Sequence, residues 1–240
     1  MSISAPISRF SVYLRRNGFS ATATRIGLSL RRSLFSGRMA LFYCDLSTRT
    51  ASPAELPCSL KIERYRSQSE LSSADFGQIT SFWNTKLARR NIHERFALGA
   101  SIWVIRADGK LAGYGWTLQG RTVEPHYFPL GHDDVHFFDF HVFPDYRGRG
   151  INPRLVSYIL ARLAAECSGR AFIEAAEWNR SQLASLKKTP FHCFGIAQKI
   201  TVGPRTVVYW QQHKHGAKLE REVQNVKLPA TDGSCASDSV

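Results

Sequence analysis

Apolar residues recur along this chain in two rhythms, one near 3.6 residues and one of period two with short continuous runs. The first marks amphipathic helices and the second marks strands. Read in order, 39–46 is a short apolar run of strand type, and 59–65 is another strand. Residues 72–83 carry Phe76, Ile79 and Phe82 at helical spacing, and 84–98 form a second, more polar helix. Strands at 101–106 and 111–117 flank Asp108-Gly109, a hairpin signal. A Phe-rich strand at 135–143 stops at Pro144. The helix expected over 152–167 has Pro153 in its first turn and places Leu155, Ile159, Leu160 and Leu163 on one side. A strand at 172–178, a short helix at 181–188 and two strands at 194–202 and 206–211 complete the pattern. Strands interleaved with helices predict an α/β fold, a mixed sheet with helices on both faces.

At 240 residues the chain suits one domain with extensions. The main domain is expected over 58–211, after a linker at 47–57 rich in Ser, Thr, Ala and Pro. Residues 1–57 read as a basic extension with a short strand. Residues 212–240 read as a polar tail without structure.

The net charge of +13 favours anionic partners. Seven arginines and no acidic residue precede Asp45. Phe10, Leu14, Ile26, Leu30 and Leu34 lie at helical spacing among them. This leader suits either contact with an anionic membrane through residues 9–38 or a helix packed on the domain with a solvated basic face. Its Arg- and Ser-rich composition loosely resembles a mitochondrial transit peptide, whereas a secretory signal does not fit. No nucleic-acid partner is expected, because aromatic residues are not interleaved with basic ones. The five cysteines are scattered, with no C-x-x-C spacing, so free thiols in a reducing compartment and a cytoplasmic location are expected. No metal site is expected: His213 and His215 have no third ligand near them. No Gly-x-Ser-x-Gly elbow is present either.

The informative segment is Val142-Phe-Pro-Asp-Tyr-Arg147-Gly148-Arg149-Gly150-Ile151-Asn152, where a strand ends, a Gly/Arg loop follows and a helix begins. Glycines let backbone N–H groups crowd around an anion. The helix N-terminus adds unsatisfied donors and a favourable dipole. Arg147 and Arg149 add charge-assisted contacts. The segment reads as a diphosphate site, but it is neither a P-loop nor a dinucleotide fingerprint.

Arg147-Gly-Arg-Gly150-Ile-Asn152, after a strand ending Val142-Phe-Pro, resembles the acetyl-CoA-binding motif of the GNAT N-acetyltransferases, Q/R-x-x-G-x-G/A, with Asn152 at the last position. Asn179-Arg-Ser-Gln182 through Lys188-Thr-Pro-Phe191 resembles the family's N-x-x-S…K-x-G-F run, with Gln182 and Pro190 departing from it. The resemblance covers about residues 58–211. It implies a mostly antiparallel sheet splayed between two middle parallel strands, 135–143 and 172–178. It implies acetyl-CoA as acyl donor, held by Val142, Arg147, Gly148, Arg149, Gly150, Ile151, Asn152 and Asn179. It also implies a small-molecule or sugar amine as acceptor, and it allows a homodimer. A backbone N–H near Val142 would polarise the thioester carbonyl. The amine must lose a proton before attack. Asp139 is the first candidate base and His141 the second, with Glu174 and Glu177 on the other strand as further candidates. The position at which many family members carry a tyrosine acid is Leu186.

Overall fold

A computed structural model describes residues 38–48, 56–82, 84–122, 127, 130–166, 169–202, 205–212 and 225–227. The expected leader helices lie outside the described residues. The elements in chain order are β1 (Arg38–Asp45), β2 (Leu60–Tyr65), α1 (Ser73–Ser81), α2 (Thr85–Ala97), β3 (Ser101–Ala107), β4 (Lys110–Gln119), β5 (Val135–Val142), α3 (Ile151–Ala164), β6 (Arg170–Ala176), α4 (Arg180–Leu186), β7 (His192–Val202), β8 (Arg205–Gln212) and β9 (Asn225–Lys227). Side chains cap three of the helices. Ser72 accepts from the Asp75 N–H, Asn84 from Leu87 and Asn179 from Gln182.

The strands form one sheet in the order β2-β3-β4-β5-β6-β1-β7-β8-β9. Among the described strands only β5 and β6 run parallel, and their register lasts three residues, from Val135↔Ala171 to Phe137↔Ile173. Beyond that point both strands continue without pairing to each other, so the sheet opens at their carboxyl ends. This is the expected splay. One face carries α3, whose Leu155, Ile159 and Leu160 are buried with Phe137 and Ile173. The other carries α1 and α2, where Ile79 and Ile92 pack with Ile102, Tyr114 and Trp116.

Two expectations need correction. The boundary at residue 58 does not separate an extension from a domain: β1 lies inside the sheet, antiparallel to β6 on one side and to β7 on the other. Its Leu41, Phe42 and Cys44 are buried. Its almost continuous apolar run fits burial on both faces: Ala40, Phe42 and Cys44 pack in the α3-layer core and Leu41 packs with Phe172 and Phe194 on the other face. Local sequence marks the strand, but it does not say which distant strands will receive it. The tail beginning at 212 is also too broad, since β9 pairs with β8 through Arg205↔Lys227 to Val207↔Asn225.

Candidate active site

At the closed end of the β5–β6 pair, Asp134 is nearly buried and accepts from the Arg170 guanidinium at 2.8 and 3.1 Å. It also accepts from the backbone N–H groups of Gly131 and Arg170, at 2.8 and 3.0 Å. Burial alone would raise the pKa of this carboxyl. The Arg170 and backbone hydrogen bonds outweigh it, and the result is a lowered value. One turn of the pleat further on, His136 Nε2 lies 3.0 and 3.2 Å from the two carboxylate oxygens of Glu174. This pair spans β5 and β6 just below the point where they part.

Above that point β5 is irregular. Tyr114 pairs with His141 and Trp116 with Phe138, so Gly115 faces two residues, Asp139 and Phe140. Asp139 takes a positive φ of 50°. That conformation costs a non-glycine residue about 1–2 kcal/mol, and Asp is among the residues that tolerate it best. The bulge resets the alternation of side chains. Phe138 packs with the α1/α2 layer and Phe140 with the α3 layer. Asp139 reaches Arg95 of α2, while His141 stacks on Phe82 beyond α1. Without the extra residue, 139 and 141 would point with Phe137 toward α3. Gly115 makes the arrangement possible: a Cβ there would sit 2.3 Å from the Phe140 ring.

Asp139 forms an ion pair with Arg95, whose guanidinium also lies over the Trp116 and Phe138 rings at 5.2 and 5.3 Å. Arg95, Asp139, Tyr114 and Trp116 line a cavity of about 320 Å³ between α1, α2 and the sheet. His141 is half-buried against Phe82, Tyr114 and Phe143, with centroids at 4.3, 5.6 and 5.2 Å. Burial, and secondly the charge of Arg147, lower its pKa below the usual 6.5 despite the opposing effect of Asp139. The imidazole is therefore neutral at pH 7 and able to accept a proton.

The loop after β5 is built as its sequence suggests. Pro144–Tyr146 form one 3-10 turn. Gly148 and Gly150 follow at φ of 77° and 70°, and α3 starts at Ile151. A side chain at Gly148 would meet only open space, and no side chain caps the α3 N-terminus. Its first N–H groups therefore face outward, beside the two glycines. Arg147 Nε donates to the Val142 carbonyl at 3.0 Å, and Arg154 Nη1 donates to the Arg149 carbonyl at 2.7 Å, bracing the loop from both sides. Asn152 Nδ2 donates to Ser185 Oγ at 2.9 Å, which ties α3 to α4, while its Oδ1 is buried with no partner among the described residues. An uncapped helix start, two left-handed glycines and an orphaned acceptor fit a diphosphate with an attached hydrogen-bonding arm.

Other expected residues lie apart. The Glu177 carboxylate is held by Arg38 Nε at 2.8 Å, and Glu177 does not line the cavity. The Asn179 side chain is occupied at the start of α4, where Oδ1 accepts from Gln182 N and Nδ2 donates to Gln182 Oε1. Leu186 is fully buried in the α3 layer. Among the described residues no group of three or more His, Cys, Asp or Glu could hold a metal ion, and no helix is long and apolar enough to cross a membrane. Sequence reasoning missed Arg95 and His136. The alternation in Gly113-Tyr-Gly-Trp116 did hold a sign of the cavity wall, because it puts two aromatic rings on one face.

These features define a sheet splayed between two parallel strands beside a loop suited to a diphosphate. The chain matches the acetyltransferase (GNAT) family model over residues 66–188, just over half of its length, and belongs to that family. A comparison with curated proteins returned no match. Among solved structures, the chain is similar to a GNAT-family protein from Novosphingobium aromaticivorans DSM 12444, at 16% identity and a TM-score of 0.45, covering 67% of this chain and 61% of that one. It is also similar to a GNAT-family acetyltransferase from Colwellia psychrerythraea, at 12% and 0.47, covering 65% and 53%. A third is a tandem GNAT protein from the clavulanic acid biosynthesis pathway, at 14% and 0.47, covering 70% and 55%. The chain thus spans less than two thirds of each of these proteins. At such identities and TM-scores none of the three bears on its substrate.

Proposed function

We propose that this protein transfers an acetyl or other short acyl group from acyl-CoA to the primary amine of a small molecule. The observation that carries this reading is the joining of two features: the gap that opens between β5 and β6 above Phe137 and Ile173, and the uncapped glycine loop at the head of α3. The loop from Arg147 to Asn152 holds the coenzyme's diphosphate. The gap takes its extended arm, which can pair with the free edge of β5 as an added strand. The coenzyme supplies a thioester, already activated for attack.

The protein's own residues manage the amine. The apolar cavity wall disfavours the ammonium form and so favours the neutral nucleophile. His141, neutral and on the acceptor side of β5, accepts the amine's proton as the new C–N bond forms and the C–S bond breaks. Asp139, already committed to Arg95, orients that guanidinium and the bulge instead of acting as the primary base. The leaving thiolate, with the pKa of an ordinary thiol, departs without a protein acid at Leu186.

Incubation with acetyl-CoA and a panel of amines, read as released thiol, tests this. Turnover that disappears in His141→Ala while coenzyme binding persists supports it, and silence across the whole panel sinks it. The buried Leu186 favours one other reading, a catalytically weak acyl-CoA-binding protein. Tight coenzyme binding with no turnover would select that alternative.

A further inference from the structure

We infer that the acceptor is an amine with an apolar body, of the arylalkyl or alkyl class, and not an amino sugar or a polyamine. The inference rests on the acyltransferase reading above and narrows it. The cavity beside Asp139 is walled by Ile79 of α1, Leu87 and Ile92 of α2, and Tyr114 and Trp116 of β4. Among the described residues its polar groups are Asn84, Asn91 and the Arg95–Asp139 pair, together with the hydroxyl of Tyr114 and the indole N–H of Trp116 on the two aromatic rings. Asn84 Oδ1 is already used to cap α2.

First, an amino sugar brings a ring of hydroxyls, each needing a partner once removed from water. A mostly hydrocarbon wall leaves most of them unpaired. Second, a polyamine needs uncompensated carboxylates for its several charges. The single carboxylate here is neutralised by a guanidinium that itself lies over two aromatic rings, so the charged groups of the lining sum to zero. Third, the volume of about 320 Å³ lies at the lower end of the range of about 300–1,000 Å³ usual for small-molecule sites. That suits one ring on a short chain.

A separate observation points the same way. Among the described residues, the two large apolar side chains left exposed are Phe82 at 40% and Leu87 at 47%. They stand on either side of the α1–α2 junction, Leu87 in the cavity wall and Phe82 against His141. Of the two, Leu87 puts exposed apolar surface on the cavity wall itself, which suits entry of an apolar ligand there.

The experiment compares phenethylamine, hexylamine, glucosamine and spermidine as acceptors for the full chain with saturating acetyl-CoA, and measures acetyl-CoA binding separately by calorimetry. A kcat/KM for phenethylamine or hexylamine at least about 100-fold above glucosamine and spermidine is expected. Leu87→Glu, at an exposed position the fold tolerates, is expected to raise the KM for phenethylamine about tenfold or more, with the acetyl-CoA Kd unchanged. Preference for glucosamine or spermidine overturns the inference and leaves the acyltransferase reading standing. So does an unchanged KM in Leu87→Glu. Failure to bind acetyl-CoA overturns that reading, and the inference falls with it.

Discussion

The two halves of β5 share one strand and have opposite characters. From Val135 to Phe137 it is buried, paired on both edges and clasped to β6 by Asp134 and Arg170. From Phe138 to Val142 it has parted from β6, carries a bulge with a left-handed Asp139 and presents half-exposed polar side chains. The closed half concentrates stabilising contacts. The open half gives up pairing with β6 and local backbone comfort to turn Asp139 and His141 to the α1/α2 face, Asp139 into the cavity wall and His141 against Phe82, Tyr114 and Phe143. Strain and unpaired backbone collect where a ligand can use them, and the fold tolerates this because the lower half is stitched so thoroughly.

The most severe way to break the closed half is to remove its other neighbour. Deletion of residues 1–46 takes β1 from between β6 and β7 and is expected to abolish folding, since the loss exceeds a total stability of about 5–15 kcal/mol. Circular dichroism and a collapsed denaturation transition would show it. A folded, cooperative product would refute the central placement of β1. Next, Asp134→Ala leaves Arg170 without its carboxylate and should cost about 2–3 kcal/mol in urea unfolding, toward the low end for such pairs because Arg170 is partly exposed. The sign with pH follows from the lowered pKa of Asp134. Its contribution is complete above the ordinary value of 3.8 and is lost as pH falls below that through the folded-state value. Wild type and variant should therefore converge in acid.

The open half should respond in rate more than in stability. His141→Ala is expected to lower kcat about 100-fold, equivalent to about 2.7 kcal/mol of barrier. In the wild type the acid limb of kcat/KM should have its midpoint below 6.5, because only the neutral imidazole accepts a proton and its pKa in the free protein is lowered. The variant should lose that limb, and an unchanged pH profile would remove His141 from the mechanism. The smallest effect is expected at the join. Gly115→Ala pushes a methyl group into the Phe140 ring and should cost about 1–2 kcal/mol. Equal stability of variant and wild type would mean that the bulge relaxes freely.

Much of this was legible in the sequence. The helices and strands fall within a few residues of their expected limits because each has a clear rhythm and a clean stop. Examples are Pro144 after β5 and the Ser72 and Asn84 caps. The loop from Arg147 to Asn152 was legible too, since a strand, glycines and a helix in immediate succession are a local pattern. What escaped is what depends on register between distant segments. The run at 39–46 announces a strand but not its place between β6 and β7. The bulge that turns Asp139 and His141 to one side is set by Gly115 across the sheet and reads as ordinary alternation in β5 alone. His136–Glu174 and Arg95–Asp139 join residues 38 and 44 positions apart, and nothing local pairs them.

The position of β1 also bears on how the chain is made. Its residues leave the ribosome before either partner exists, and β6 begins only at Arg170. At roughly 5–20 residues per second, the apolar segment Met39-Ala-Leu-Phe-Tyr-Cys44 waits on the order of ten seconds for its first partner during synthesis. The first of the described strands to be translated is thus sealed in among the last, and until its partners emerge its apolar run is an aggregation-prone length of nascent chain for which a holding chaperone would be the natural companion.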